Sequence, residues 1–215
     1  MRRFAVVGAA LLAVLALTAV MASSAVAALP EFLPGSGTFT GTSGKGELQI
    51  KGGGTIKCEK DKPLGTITGP KTASIDVHFE ECKALGFAAN SVDDKEKAGV
   101  ILVKGTATLC YLSAALKTVG LTVQISPEPL EIEVPTAKQK ILVKGTVIGE
   151  VKPVNKSQTT GEVTFTQKEG VPGLEKCEGT AAAQLLASEA GKEFKPAGEK
   201  TSESLVFSTA VEVMA

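Results

Sequence analysis

Ser74-Ile75-Asp76-Val77-His78-Phe79-Glu80 alternates polar and apolar side chains at every step. In an extended chain, successive side chains leave on opposite faces. Ile75, Val77 and Phe79 therefore share one face, and Ser74, Asp76, His78 and Glu80 share the other. This is a strand buried on one side and wet on the other, with the odd residues inward. The same period of two returns along the chain. Leu130, Ile132 and Val134 alternate with Glu131 and Glu133, and Val163 and Phe165 alternate with Glu162, Thr164 and Thr166. Leu205, Phe207, Val211 and Val213 hold one parity near the end.

Turn chemistry separates these runs: Lys51-Gly52-Gly53-Gly54, Gly69-Pro70, Ser126-Pro127, Pro153-Val154-Asn155 and Glu169 to Gly173. Many short strands at such spacing predict one all-β antiparallel domain over residues 37–215, a β-sandwich, with a partly closed β-barrel as the alternative. Two segments break the rhythm. Asn90 to Lys97 reads as one or two helical turns with Asn90 or Ser91 as cap and Gly99 as stop. Thr180 to Ala190 is alanine-rich and helical by propensity, but its neighbours favour strand, which is the reading taken. Ile101-Leu102-Val103-Lys104-Gly105-Thr106 recurs as Ile141-Leu142-Val143-Lys144-Gly145-Thr146. Both runs are apolar on both parities, which predicts central strands, with each glycine at a bulge or a close backbone approach.

Met1-Arg2-Arg3, the apolar run Phe4 to Met21 and the small-residue pattern Ala25-Val26-Ala27 read as a signal peptide over residues 1–27. The expected location is thus secreted or extracytoplasmic, with no membrane span in the mature protein. Residues 28–36, with Pro30, Pro34 and Gly35, read as an extended N-terminal arm. The leader holds both arginines of the chain, so the mature part carries 21 lysines against 23 acids, a net charge of −2.

Four cysteines in an exported chain predict two disulfides. Of the three possible connectivities, Cys58 with Cys82 and Cys110 with Cys177 is favoured, because Lys60-Asp61-Lys62-Pro63 can turn the chain back between the first pair. Cys82 falls on the wet phase of its strand unless Glu80-Glu81 contains a bulge.

The inventory excludes much. One histidine, His78, leaves little for a serine hydrolase, and Ser74, Asp76 and His78 would stand roughly 6.5 to 7 Å apart along a strand. Asp76, His78 and Glu80 form a weak candidate metal trio on one strand face, with no second histidine to complete a transition-metal set. Asp93, Asp94 and Glu96 do not match a calcium loop. A slightly acidic mature chain without Arg or Trp is unsuited to nucleic acid. A single Tyr, Tyr111, argues against an outer-membrane barrel with its aromatic girdles. No cofactor is implied and no catalytic residue is assigned. A carboxylate pair is the one piece of machinery left to an enzyme, a hydrolase.

Leu29-Pro30-Glu31-Phe32, the Gly-Gly-Thr-Ile-Lys-Cys run ending at Cys58, Ile101 to Thr106 with Cys110-Tyr111-Leu112, and the tail Val211 to Ala215 together resemble a group of uncharacterised exported β-rich proteins from actinobacteria. The resemblance spans most of the mature chain, implies no activity and transfers no functional residue.

The expectation is therefore a secreted, disulfide-stabilised, non-catalytic β domain with a structural or binding role, its partner a macromolecule or an envelope component. The alternative is a carrier of a small apolar molecule in a cavity lined by Ile, Val, Leu and Phe. A large open interior pocket with converging glutamates would count against the first reading and reopen that of a carboxylate enzyme.

Overall fold

The computed structural model describes residues 30–92, 97–189 and 191–215. The leader over 1–27 and the acids Asp93, Asp94 and Glu96 lie outside the described residues. The first strands are β1 (Glu31–Leu33), β2 (Gly37–Ser43), β3 (Gly46–Ile50), β4 (Thr55–Cys58), β5 (Lys60–Ile67) and β6 (Thr72–Glu80). Three short strands follow, β7 (Lys83–Ala84), β8 (Phe87–Ala88) and β9 (Asn90–Ser91), and then β10 (Ile101–Ser113), β11 (Thr118–Ile125) and β12 (Leu130–Val134). A 3-10 turn at Pro135–Ala137 leads to β13 (Gln139–Lys152), β14 (Gln158–Phe165), β15 (Gln167–Lys168), β16 (Val171–Pro172), β17 (Leu185–Glu189) and β18 (Lys195–Met214).

The pairings form a circuit. β18 pairs with β2, β2 with β5, β5 with β6, and β6 with β10. β10 pairs with β11, β11 with β13, β13 with β14, and β14 again with β18, every step antiparallel. The sheet is thus ring-like, as in the barrel alternative, while its opposite walls share one apolar core as those of a sandwich do. The two longest strands carry it further. β17 bridges Ile141–Gly145 of β13 to Lys195–Pro196 of β18, and β3 pairs with the next residues of β18, Ala197 to Lys200.

The alternation at the start of the argument sets the walls. Ile75 and Val77 are 8% and 5% exposed, while Ser74 is exposed. The repeated hexapeptides open the central strands β10 and β13 as expected, and their glycines sit at close backbone approaches. A Cβ on Gly105 would stand 2.4 Å from the carbonyl oxygen of Gln124; one on Gly145, where φ is +105°, would stand 1.9 Å from that of Gln184. Only glycine fits such contacts.

Both disulfides are Cys58–Cys82 and Cys110–Cys177, with Cα–Cα separations of 4.0 and 5.9 Å. The parity of Cys82 is resolved by Glu81, which has φ of 57° and ends β6 with a left-handed residue. That one step turns Cys82 inward, where it is fully buried.

Three local readings need amendment. Glu31–Leu33 of the arm pairs with Glu212–Met214 and buries Phe32, because an apolar residue in an extended segment gains more by capping the sheet than by facing water. Asn90 and Ser91 are not a helix cap but a strand paired with β12; the Ser91 hydroxyl accepts the Leu102 amide at 3.1 Å. In Thr180 to Ala190 the strand begins only at Leu185, where apolar residues meet β13.

Two outcomes follow from this framework. Replacing Cys110 and Cys177 together by serine should lower the unfolding free energy in urea by about 4 kcal/mol, on the loop-entropy account of a 67-residue separation. Gly145→Ala should destabilise by about 2 kcal/mol or more, whereas Gly52→Ala, also at positive φ but with no atom within 4 Å, should cost about 1 kcal/mol.

Candidate functional site

The inward face of β18 does not stay apolar. Its inner row reads Ala197, Glu199, Thr201, Glu203, Leu205, and the period of two places both glutamates on the core side. Glu203 is 8% exposed and Thr201 3%. Across β2, the neighbouring strand β5 turns Asp61 inward as well, 1% exposed. The Thr201 hydroxyl donates to Asp61 Oδ2 at 3.3 Å, and the Asp61 amide donates to Ser43 Oγ at 3.2 Å. Asp61 Oδ1 is buried without a hydrogen-bond partner.

Glu199 and Glu203 line a cavity of about 110 Å³ within the ring. Its remaining wall is almost entirely apolar: Phe39, Ile75, Val77 and Phe79 on one side, with Ile101, Val103, Val123, Val147 and Phe165 among the others. Glu47 is the third acid in the lining, and it is engaged, receiving Gln167 Nε2 at 3.0 Å and facing Lys57 Nζ at 3.6 Å. No such partner reaches the inner pair. Among the described residues the salt bridges involve other acids, and none contacts Asp61, Glu199 or Glu203.

Ionising a carboxyl in apolar surroundings without a cation is expensive, so such groups hold their protons. Burial pushes Glu199 up to about 8, with the charge of Asp61 adding to the effect. Burial raises Glu203 well above the ordinary glutamate value, reinforced by Asp61 and Glu199. Asp61 is also raised by burial, partly offset by the hydroxyls of Ser43 and Thr201. All three shifts run the same way. At neutral pH Glu199 therefore holds its proton and can donate a hydrogen bond into the cavity, and burial biases Glu203 the same way.

The trio Asp76, His78 and Glu80 lies on the opposite side of its strand from Ile75 and Val77. Glu80 is occupied there by Lys62 Nζ at 2.7 Å and Lys60 Nζ at 3.5 Å, and these lysines hold its carboxyl below the ordinary value. No group of three His, Cys, Asp or Glu among the described residues is arranged to hold a metal ion. The four cysteines are spent in disulfides.

The sequence reading thus passed over the acids that matter. Their signal was present: extending the parity of Leu205 and Phe207 backwards along one strand reaches Glu203, Thr201 and Glu199. The polar residues of 199–204 mask that parity, because polar side chains on a strand ordinarily mark its wet face.

No family model, curated protein or solved structure matches the chain. The site's chemistry alone carries its reading.

A carboxyl whose folded value is raised keeps its proton longer in the folded state than in the unfolded one. Stability is then full below about pH 4.5 and falls as pH rises towards about 8, where Glu199 ionises in place. Glu199→Gln should remove part of that fall. Urea unfolding should find the variant more stable than the parent at pH 9 by about 2–4 kcal/mol, the full effect being reduced by the residual exposure of Glu199. At pH 4 the two should agree within about 0.5 kcal/mol. A variant less stable at pH 9 would show that the carboxylate has a cationic partner.

Proposed function

We propose that this protein is a non-catalytic binding domain that carries one small, largely apolar molecule inside its β-ring. The observation that supports the reading is the cavity of about 110 Å³, walled by Ile, Val, Leu and Phe from strands all around the circuit. A ring of about eight strands has an interior that side chains can just fill, or that can hold one small ligand. An apolar void of about 150 Å³ accepts benzene, so the space here suits a single ring or a short aliphatic chain.

The two disulfides fit an oxidising, non-cytoplasmic setting, and no helix among the described residues is long and apolar enough to cross a membrane. Together with the leader reading over residues 1–27, this supports a secreted carrier acting outside the cytoplasm or within the envelope.

Converging glutamates reopen the carboxylate hydrolase. That chemistry requires one carboxyl kept as acid and another kept ionised as nucleophile or base. Here Glu199 and Glu203, the unpaired acids that line the cavity, are both raised by burial, while Asp61 does not line it and has one oxygen tied to Thr201. The arrangement favours binding over acid–base catalysis.

Methyl NMR of the oxidised protein titrated with ethylbenzene tests the carrier reading. Shifts should be confined to lining residues such as Ile75, Val77 and Val123, leaving the exposed methyls of Leu116 and Val206 unmoved. Val103→Phe, which places a ring in the cavity, should weaken binding at least about tenfold while the protein stays folded. Saturable shifts absent from the lining would sink the reading.

A further inference from the structure

The cavity has a polar end and an apolar end, and the polar end is unfinished. Glu203 is 8% exposed, faces the cavity and has no hydrogen-bond or ion-pair partner among the described residues. Glu199 lines the same space on the same strand, four residues away. Behind them Asp61 Oδ1 is buried without a donor. A protein interior rarely leaves three acids together without a cation, a metal or a set of N–H donors. Among the described residues the surroundings of Glu199 and Glu203 supply none of these. Beside Glu203, β2 presents Ser43 and β14 presents Val163; β5 contributes Asp61 and β3 contributes Glu47, already held by Gln167. The far wall, from β10, β11 and β13, offers only apolar side chains to the cavity.

We propose that Glu199 and Glu203, with Asp61 behind them, recognise the ammonium group of a small primary amine whose hydrocarbon part lies against the apolar wall. The inference rests on the carrier reading and names its ligand class. An ammonium group brings up to three N–H donors and the missing positive charge, which a hydrocarbon or an ester does not. No bond to carbon changes in this step. The amine enters as its cation, one glutamic acid releases its proton to solvent, and the resulting carboxylate accepts hydrogen bonds from the ammonium. An inorganic cation is a poorer match, because no three of these acids stand close enough to ligate one ion.

Proton release gives the test a readout that simple burial would not move. Isothermal titration of the oxidised protein with benzylamine, and with its apolar isostere ethylbenzene, should be run between pH 6 and 8 in buffers of different ionisation enthalpy. Benzylamine should bind more tightly than ethylbenzene, release about one proton, and gain about tenfold in affinity per pH unit until Glu199 ionises unaided near about 8. Glu203→Gln should weaken benzylamine about tenfold or more relative to ethylbenzene and abolish the proton release; Glu199→Gln serves if the first variant does not fold. Equal affinities with no proton exchanged would overturn the amine inference while the carrier reading stands. Binding of neither compound would overturn both.

Discussion

The structure depends on one long strand being shared. β18, Lys195 to Met214, pairs with β2 on one side and with β14 on the other, and this double pairing turns a meandering antiparallel sheet into a ring. Without it, β2 and β14 would each present an open edge of unpaired amides and carbonyls, and the two walls would have no fixed spacing. Closure does more than remove edges. It fixes how far apart the inner faces stand, and with eight strands in the circuit side chains of ordinary size leave a space at the centre. The disulfides act outside this closure. Cys58–Cys82 ties the end of β4 to the turn after β6, and Cys110–Cys177 ties β10 to the segment between β16 and β17.

The same strand supplies the polar end of the cavity. Because β18 is paired on both sides, its side chains cannot choose their face. Register fixes it, and a shift by one residue would expose Ala197 and Leu205 as surely as it would release Glu199 and Glu203. The apolar members of the row bind the strand to the core strongly enough to carry its acids inside. Burial then favours the protonated forms of both acids, which lets them coexist where no lysine lines the cavity among the described residues. A fold selected for packing alone would gain by replacing both glutamates with residues of similar volume such as leucine or methionine. Their presence next to a void is the feature on which the proposed binding site rests.

Much of the fold was legible in residues read two at a time. Ile75, Val77 and Phe79 point where the alternation says they must, both hexapeptide strands are central, and the disulfides join the expected cysteines. The arm was less legible because three residues, Glu31 to Leu33, carry too little pattern to show a strand that only the tail can complete. Asn90 and Ser91 look like helix starters, and their pairing with β12 is a long-range contact with no local signature. The site was hidden for a different reason. Polar residues on a strand ordinarily mark its wet face, and the sequence does not show that β18 runs unbroken from Lys195 far enough to bring Leu205 and Glu199 into one phase. Asp61 sits between two lysines in what reads as a turn, and only the pairing of β5 with β6 turns it inward.

The account stands on Glu199 and Glu203 being uncompensated acids in an apolar interior. A carbon-13 NMR titration of the glutamate side-chain carboxyls, assigned by Glu199→Gln and Glu203→Gln, observes this directly. Glu199 should titrate near about 8, and Glu203 should remain protonated well above the ordinary range. If both carboxyls ionise near 4.5, the inner row faces water or a cation, and the claim that the ring encloses a site awaiting a positive ligand is wrong.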